Sequence, residues 1–224
     1  MVAYRYLPLL RSKAGEGTAL QNLTAPQKER MLPLIHVSEQ PPAGFAQRAI
    51  QAWSGLPMAL DGMFNFDTTG SVDDFSRIFA SLGNGGVRII PAVEYGAPPQ
   101  YASSVSAMLG RYAPGLVLKA TVGQLPMLHS WVSAQQLSEA NIDLVVDAGH
   151  IAAYGDAAQF AAFVAHSLTN AISQPPAWRS VTLASAAAPR DYSAFAAGRS
   201  TAPRLDWRLW QHVSGQVPFQ LEYG

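Results

Sequence analysis

Cysteine is absent from the 224-residue chain, which removes disulfides, thiolate catalysis and zinc–thiolate sites from consideration. Net charge is absent as well: 15 Lys and Arg balance 15 Asp and Glu, and charged residues make up only 13% of the chain. Proteins that grip nucleic acid or anionic lipid by bulk electrostatics carry a basic surplus, so neither is an expected partner. No apolar run approaches the roughly 18 residues of a membrane span. The opening Met1-Val2-Ala3-Tyr4-Arg5-Tyr6 lacks the basic start, long apolar stretch and small-residue cleavage site of a leader. A cytoplasmic location is the resulting expectation. Neither GxGxxG nor GxxxxGK[ST] occurs, and Gly83-Asn84-Gly85-Gly86 precedes a strand, where it reads as a turn. His-x-x-x-His and His-Glu-x-x-His are also missing, and Ser185 does not sit in a Gly-x-Ser-x-Gly elbow.

Apolar residues, by contrast, are plentiful at 49%, enough for a large core and little disorder. They fall into short runs rich in β-branched residues: Tyr4–Leu9, Leu32–Val37, Met58–Asp61, Val87–Glu94, Leu116–Val122, Ile142–Asp147, Ser180–Ala184 and Phe219–Tyr223. Several are continuous apolar segments, as expected of strands covered on both faces. Helical patterns fill the gaps. Phe75, Ile78, Phe79 and Leu82 follow Asp73 and Asp74 and stop at Gly83–Gly86. Ala49, Ile50 and Trp53 mark a helix ending at Gly55, and Val105, Met108, Leu109 and Tyr112 another, closed by Pro114-Gly115. Asp156 can cap a helix striped by Phe160, Phe163, Val164, Leu168 and Ile172. Trp207, Leu209 and Trp210 read as the inner face of a further helix, and His129, His166 and His212 as surface or packed helical histidines.

Strands alternating with helices at this rhythm predict stacked βα units and a parallel sheet. Eight strands with seven intervening helices predict a (β/α)8 TIM-type barrel over residues 1–224 that lacks its last helix; an open doubly wound sheet is the rival. Pro175-Pro176 and the Ala184–Pro189 stretch read as loops within that single domain. A barrel without its eighth helix leaves apolar surface beside its first and last strands, open to a partner chain or to self-association.

In such barrels the carboxyl ends of the strands carry the working site. Several predicted strands end on an ionisable residue: His36, Asp61, Glu94, Lys119 and Asp147. Arg11 and Lys13 follow the first strand, His150 the sixth, Ser185 the seventh and Glu222 the eighth. An ionisable group at the rim of a core is costly unless paired, bound or useful. Asp61, Glu94 and Asp147 are the candidate acid–base groups or oxygen ligands for a divalent cation, and Lys119 a candidate anion-binding group. Arg11, Lys13, His36, His150 and Ser185 are candidate ligand contacts. The plainer reading is that these charges form structural salt bridges closing the barrel mouth.

The segments Tyr6-Leu7-Pro8-Leu9-Leu10-Arg11-Ser12-Lys13-Ala14-Gly15-Glu16-Gly17-Thr18-Ala19-Leu20, Leu32-Pro33-Leu34-Ile35-His36, Leu144-Val145-Val146-Asp147-Ala148-Gly149, Arg204-Leu205-Asp206-Trp207-Arg208-Leu209-Trp210 and Tyr223-Gly224 resemble the Beta protein family of satellite phages and bacterial genomes. The resemblance implies a phage-borne or bacterial protein tied to phage–host conflict and defence gene clusters, with a protein partner in such a system. It brings no established reaction. His36 departs from the glutamate more usual in that family and Lys119 from its common arginine, and the Asp-Tyr that typically follows the final Tyr-Gly is absent. Two expectations result: an antiviral component with a small polar site for a phosphorylated or nucleotide-like ligand, or a non-catalytic interaction module.

Overall fold

The computed structural model describes residues 6–41, 44–112, 115–151, 157–172, 178–187 and 204–224. Eight strands lie in one parallel sheet in chain order: β1 (Leu9–Arg11), β2 (Leu34–His36), β3 (Pro57–Asp61), β4 (Arg88–Glu94), β5 (Leu116–Thr121), β6 (Ile142–His150), β7 (Ser180–Ala186) and β8 (Glu222–Tyr223). Helices α1 (Ala14–Gln21), α2 (Ala25–Lys28), α3 (Phe45–Trp53), α4 (Met63–Thr69), α5 (Asp73–Asn84), α6 (Pro99–Tyr112), α7 (Leu128–Ala134), α8 (Ala157–Ala171) and α9 (Leu205–Ser214) fall between them. The sheet curls until its ends meet. Tyr6 bridges both Met31 and Tyr223, and the Leu7 N–H donates to the Tyr223 carbonyl at 2.8 Å. The result is an incomplete TIM-barrel-like arrangement with a thin seam between β1 and β8.

The first strand starts later than the apolar run predicts. Pro8 has no N–H to give to a ladder, so pairing is split into the Tyr6 bridges before it and Leu9–Arg11 after it. Tyr4, Arg5, the Asp156 cap, Pro114, Pro175-Pro176 and the end of the Ala184–Pro189 stretch lie outside the described residues. β6 runs on to His150 past a register shift after Asp147, where Gly149 adopts φ +71°. Phe163 leaves the predicted apolar stripe of α8 and is 55% exposed.

Strand alternation sorts the core into two layers. Ile35, Met58, Leu60, Ile89, Val93, Leu116, Leu118, Leu144, Val146 and Leu183 pack outward against the helices. Leu7, Leu32, Leu34, Ala59, Ile90, Ala92, Val117, Val145 and Ala184 form a separate cluster that fills the barrel, with Leu9 packed against it. Two residues beyond that inner cluster, on the same face of each strand, stand Arg11, His36, Asp61, Glu94, Lys119 and Asp147. The period of two therefore turns one apolar plug into a polar layer at the carboxyl ends.

At the opposite end of β6, Asp143 is 2% exposed and is held by Arg179 through Nε at 2.9 Å and Nη2 at 2.5 Å, with the Ser180 hydroxyl donating at 2.8 Å. This buried pair closes the amino-terminal end of the barrel. Outside the seam, Tyr6 stacks on Tyr223 at 5.5 Å, and Trp207 and Trp210 of α9 pack edge-on to Tyr223. Leu209 is buried as predicted, whereas Trp207 and Tyr6 remain 39% and 38% exposed. The expected apolar surface beside the first and last strands thus takes the form of a partly exposed aromatic patch. Among the described residues, no helix is long and apolar enough to cross a membrane.

Candidate functional site

Register decides which of the polar strand ends can meet. Arg11 pairs with His36, His36 with Asp61, and Glu94 with Lys119. Alternate strands of a (β/α)8 barrel share a layer, so Lys119 on β5 reaches past β4 to Asp61 on β3. Its Nζ donates to Asp61 Oδ2 at 2.8 Å and to Glu94 Oε1. His36 Nδ1 lies 3.0 Å from the same Asp61 oxygen. The other oxygen, Oδ1, accepts the Met63 N–H at 2.9 Å from the first turn of α4. A carboxylate has about four acceptor sites, and Asp61, with no exposed side-chain surface, has three of them filled by strong donors.

Tyr101 completes the arrangement from α6. Its hydroxyl accepts the Gly62 N–H at 2.8 Å, donates to the Ala92 carbonyl at 3.0 Å, and lies 3.4 Å from Asp61 Oδ1. Nothing in the sequence marks Tyr101, since a tyrosine in the helix after a strand reads as core. Glycine is required beside it. A Cβ on Gly62 would stand 2.5 Å from Phe75 Cγ, the rigid base of a ring that packs on Tyr101.

The electrostatics follow from burial and pairing. Burial alone would raise the Asp61 pKa, but the His36 hydrogen bond and the Lys119 charge outweigh it and hold the carboxyl well below the usual range. Burial pulls the Lys119 ammonium down, whereas Asp61 and Glu94 push it up further, leaving it raised. Burial, and then the Asp61 charge, push the Tyr101 phenol well above its ordinary value, so it stays neutral and able to donate. Asp61 is thus ionised and Lys119 charged across the neutral range.

A pH dependence of stability results. The folded pKa of Asp61 is depressed, so its contribution is complete above the unfolded value of about 4 and is lost as pH falls below it. The folded pKa of Lys119 is raised, so its contribution is complete below about pH 10 and is lost as pH rises through the folded value. Urea unfolding at stepped pH should give a plateau between these limits. Asp61→Asn should flatten the acid limb; an unchanged acid limb would contradict the assignment.

Chemically, a carboxylate only accepts, so it is His36 Nδ1 that carries the proton shared with Asp61, and Nε2 takes no part in that contact. The His36 side chain is 23% exposed and that of Glu94 is 45% exposed, whereas Asp61 and Lys119 lie beneath them. The ammonium bridges Asp61 and Glu94 at the position a cation held by those two carboxylates would occupy. Among the described residues no group of three or more His, Asp or Glu side chains is arranged to hold a metal ion.

The remaining candidates spread around this centre. Arg11 is exposed, its backbone N–H donates to Glu16, and it borders a crevice between α1 and α3 with Ile35, Phe45 and Met58. Lys13 is exposed at the cap of α1. Asp147 is half-buried and accepts the Gly149 N–H at 2.7 Å, with His150 just beyond the register shift. Ser185 follows the inward Ala184, so strand alternation puts it on the helix side of β7. Glu222 is 7% exposed and accepts from the Gln220 amide at 2.5 Å. Beside β1, β2 and β3, Ser12, Ser38 and Asn65 form a polar stitch that the sequence does not announce. Ser38 donates its N–H to Ser12 Oγ at 2.9 Å, and the Asn65 amide donates to the Ser38 and Glu39 carbonyls at 3.2 and 3.1 Å.

Comparison with known proteins adds one fact to this geometry. No curated protein matches the chain. Residues 6–224 match the family model described as Beta protein, a span that runs from the Tyr6 bridge through every strand of the barrel and its whole polar layer, and the chain therefore belongs to the Beta protein family.

Proposed function

We propose that this chain is a component of a phage-exclusion or defence system that binds a small phosphorylated or nucleotide-like molecule at the carboxyl-end mouth of its barrel. One observation carries the reading: His36 rests on a buried Asp61 whose charge is balanced by Lys119. A buried ion pair is an expensive way to hold a barrel shut, because well-packed apolar residues do the same with less desolvation cost. It is an economical way to orient an imidazole.

Each group then has a role. Asp61 is a positioning residue that fixes the His36 tautomer. Lys119 neutralises Asp61, and because its charge is spent on two carboxylates it does not serve as the main anion contact. Arg11 and Lys13, exposed at the end of β1, take the phosphate at the rim. His36 Nε2 accepts a proton from a ligand O–H or N–H, and the imidazolium formed is stabilised by Asp61. Glu94 and Asp147 accept donors of the bound molecule.

Calorimetric titration of the full chain with AMP, GMP, CMP and UMP tests this. Wild type should bind at least one of them. His36→Asn and Glu94→Gln should weaken that binding about tenfold or more with little change in the unfolding midpoint. In a host carrying the chain, the same variants should restore phage plating. The second reading, a non-catalytic interaction module, draws on the near-saturation of Asp61 by its donors. It gains if neither substitution changes plating and no nucleotide binds.

A further inference from the structure

Asn65 sits in the first turn of α4, two residues beyond the Met63 whose N–H holds Asp61 Oδ1. It is 1% exposed. Both hydrogens of its amide are committed, one to the Ser38 carbonyl and one to that of Glu39, in the loop after β2. Those bonds fix the amide's orientation, since turning it over would press its oxygen against two carbonyl oxygens. The oxygen, Oδ1, has no hydrogen-bond partner among the described residues. Nearby hydroxyls are engaged elsewhere: Ser12 and Ser38 bond each other at 2.9 Å, and Thr69 donates to the Asn65 backbone carbonyl at 2.8 Å.

A buried acceptor without a donor carries its full desolvation penalty. The donors of this amide explain the stitching of the β2 and β3 loops, but that role leaves the oxygen unexplained. A site built around such an acceptor also discriminates strongly, because an analogue lacking the matching donor leaves the group unpaired. We infer that Asn65 Oδ1 is a ligand-reading acceptor: an N–H or O–H donor of the molecule bound at the mouth fills it, making Asn65 a specificity-determining residue. This rests on the reading of the mouth as a nucleotide-like site. It excludes ligands whose inner edge presents only acceptors.

The test combines structures and affinities. The full chain is crystallised alone and with whichever of AMP, GMP, CMP and UMP binds most tightly, and that nucleotide is titrated into Asn65→Ala and Asn65→Asp. The expected result is a ligand donor within hydrogen-bond distance of Oδ1 and a loss of about tenfold or more in Asn65→Ala. Asn65→Asp, which keeps an acceptor oxygen, should lose distinctly less, although both variants forfeit the amide hydrogens and lower the unfolding midpoint. Equal losses in the two variants would mean that only the loop stitching matters and would overturn the inference. A nucleotide seated against His36 while Oδ1 stays on a protein-enclosed water would overturn this inference alone. Absence of binding by all four nucleotides to wild type would overturn the mouth reading and this inference with it.

Discussion

Replacing Lys119 with methionine should cost the fold about 3–5 kcal/mol, the penalty for stranding one member of a buried pair. The Asp61 carboxylate would keep its His36 and Met63 donors but lose the only fixed positive charge within hydrogen-bond reach of it among the described residues. For a chain of this size the loss corresponds to a drop of roughly 10 °C in the unfolding midpoint. Adding Asp61→Asn to Lys119→Met should recover much of it, because a neutral amide in that position needs no ammonium. The double-mutant cycle, read by urea unfolding, should therefore show strong coupling. Additive losses would mean that the two side chains do not meet. Glu94→Gln should cost far less, since its side chain is 45% exposed.

Gly115→Ala should be the most damaging small substitution at the other end of the barrel. A Cβ there would fall 2.0 Å from Arg179 Nη1 and 2.4 Å from the Asn141 carbonyl oxygen. The backbone oxygen cannot step aside, and moving the guanidinium breaks its two bonds to Asp143. Overpacking of about 1–3 kcal/mol then adds to the cost of an unpaired buried Asp143. Arg179→Ala should reproduce most of the effect without the clash. Neither change touches the carboxyl-end layer, so nucleotide affinity at a temperature where both variants remain folded should match wild type. Unfolding curves check the first statement and calorimetry the second; a normal midpoint in Gly115→Ala would contradict the packing of Arg179 over Gly115.

The chain made its barrel readable because both faces of each strand are covered. Ala59-Leu60-Asp61 and Val117-Leu118-Lys119 are apolar without a break until the mouth, and an ionisable residue closing such a run marks where the barrel interior ends. That signal located His36, Asp61, Glu94, Lys119 and Asp147. It could not say which of them touch, because the stagger between strands sets who shares a layer. Asp61 meets Lys119 from two strands away, whereas Asp147 turns back on Gly149. Tyr101 and Asn65 were illegible for a different reason. Both sit on helices after strands, where a phenol or an amide looks the same in sequence whether it lines a groove or pins a loop. Asp143 was hidden inside an apolar run, and its partner Arg179 lies just before the next strand, so only the fold brings them together.

The most direct test of the account is the nitrogen NMR spectrum of the His36 imidazole in the full chain at neutral pH. A ring held by Asp61 should show a proton fixed on Nδ1, and Asp61→Asn should erase that preference while the other histidines stay unchanged. A proton fixed on Nε2 alone, or a His36 signal indifferent to Asp61→Asn, would contradict the arrangement on which the proposed site depends.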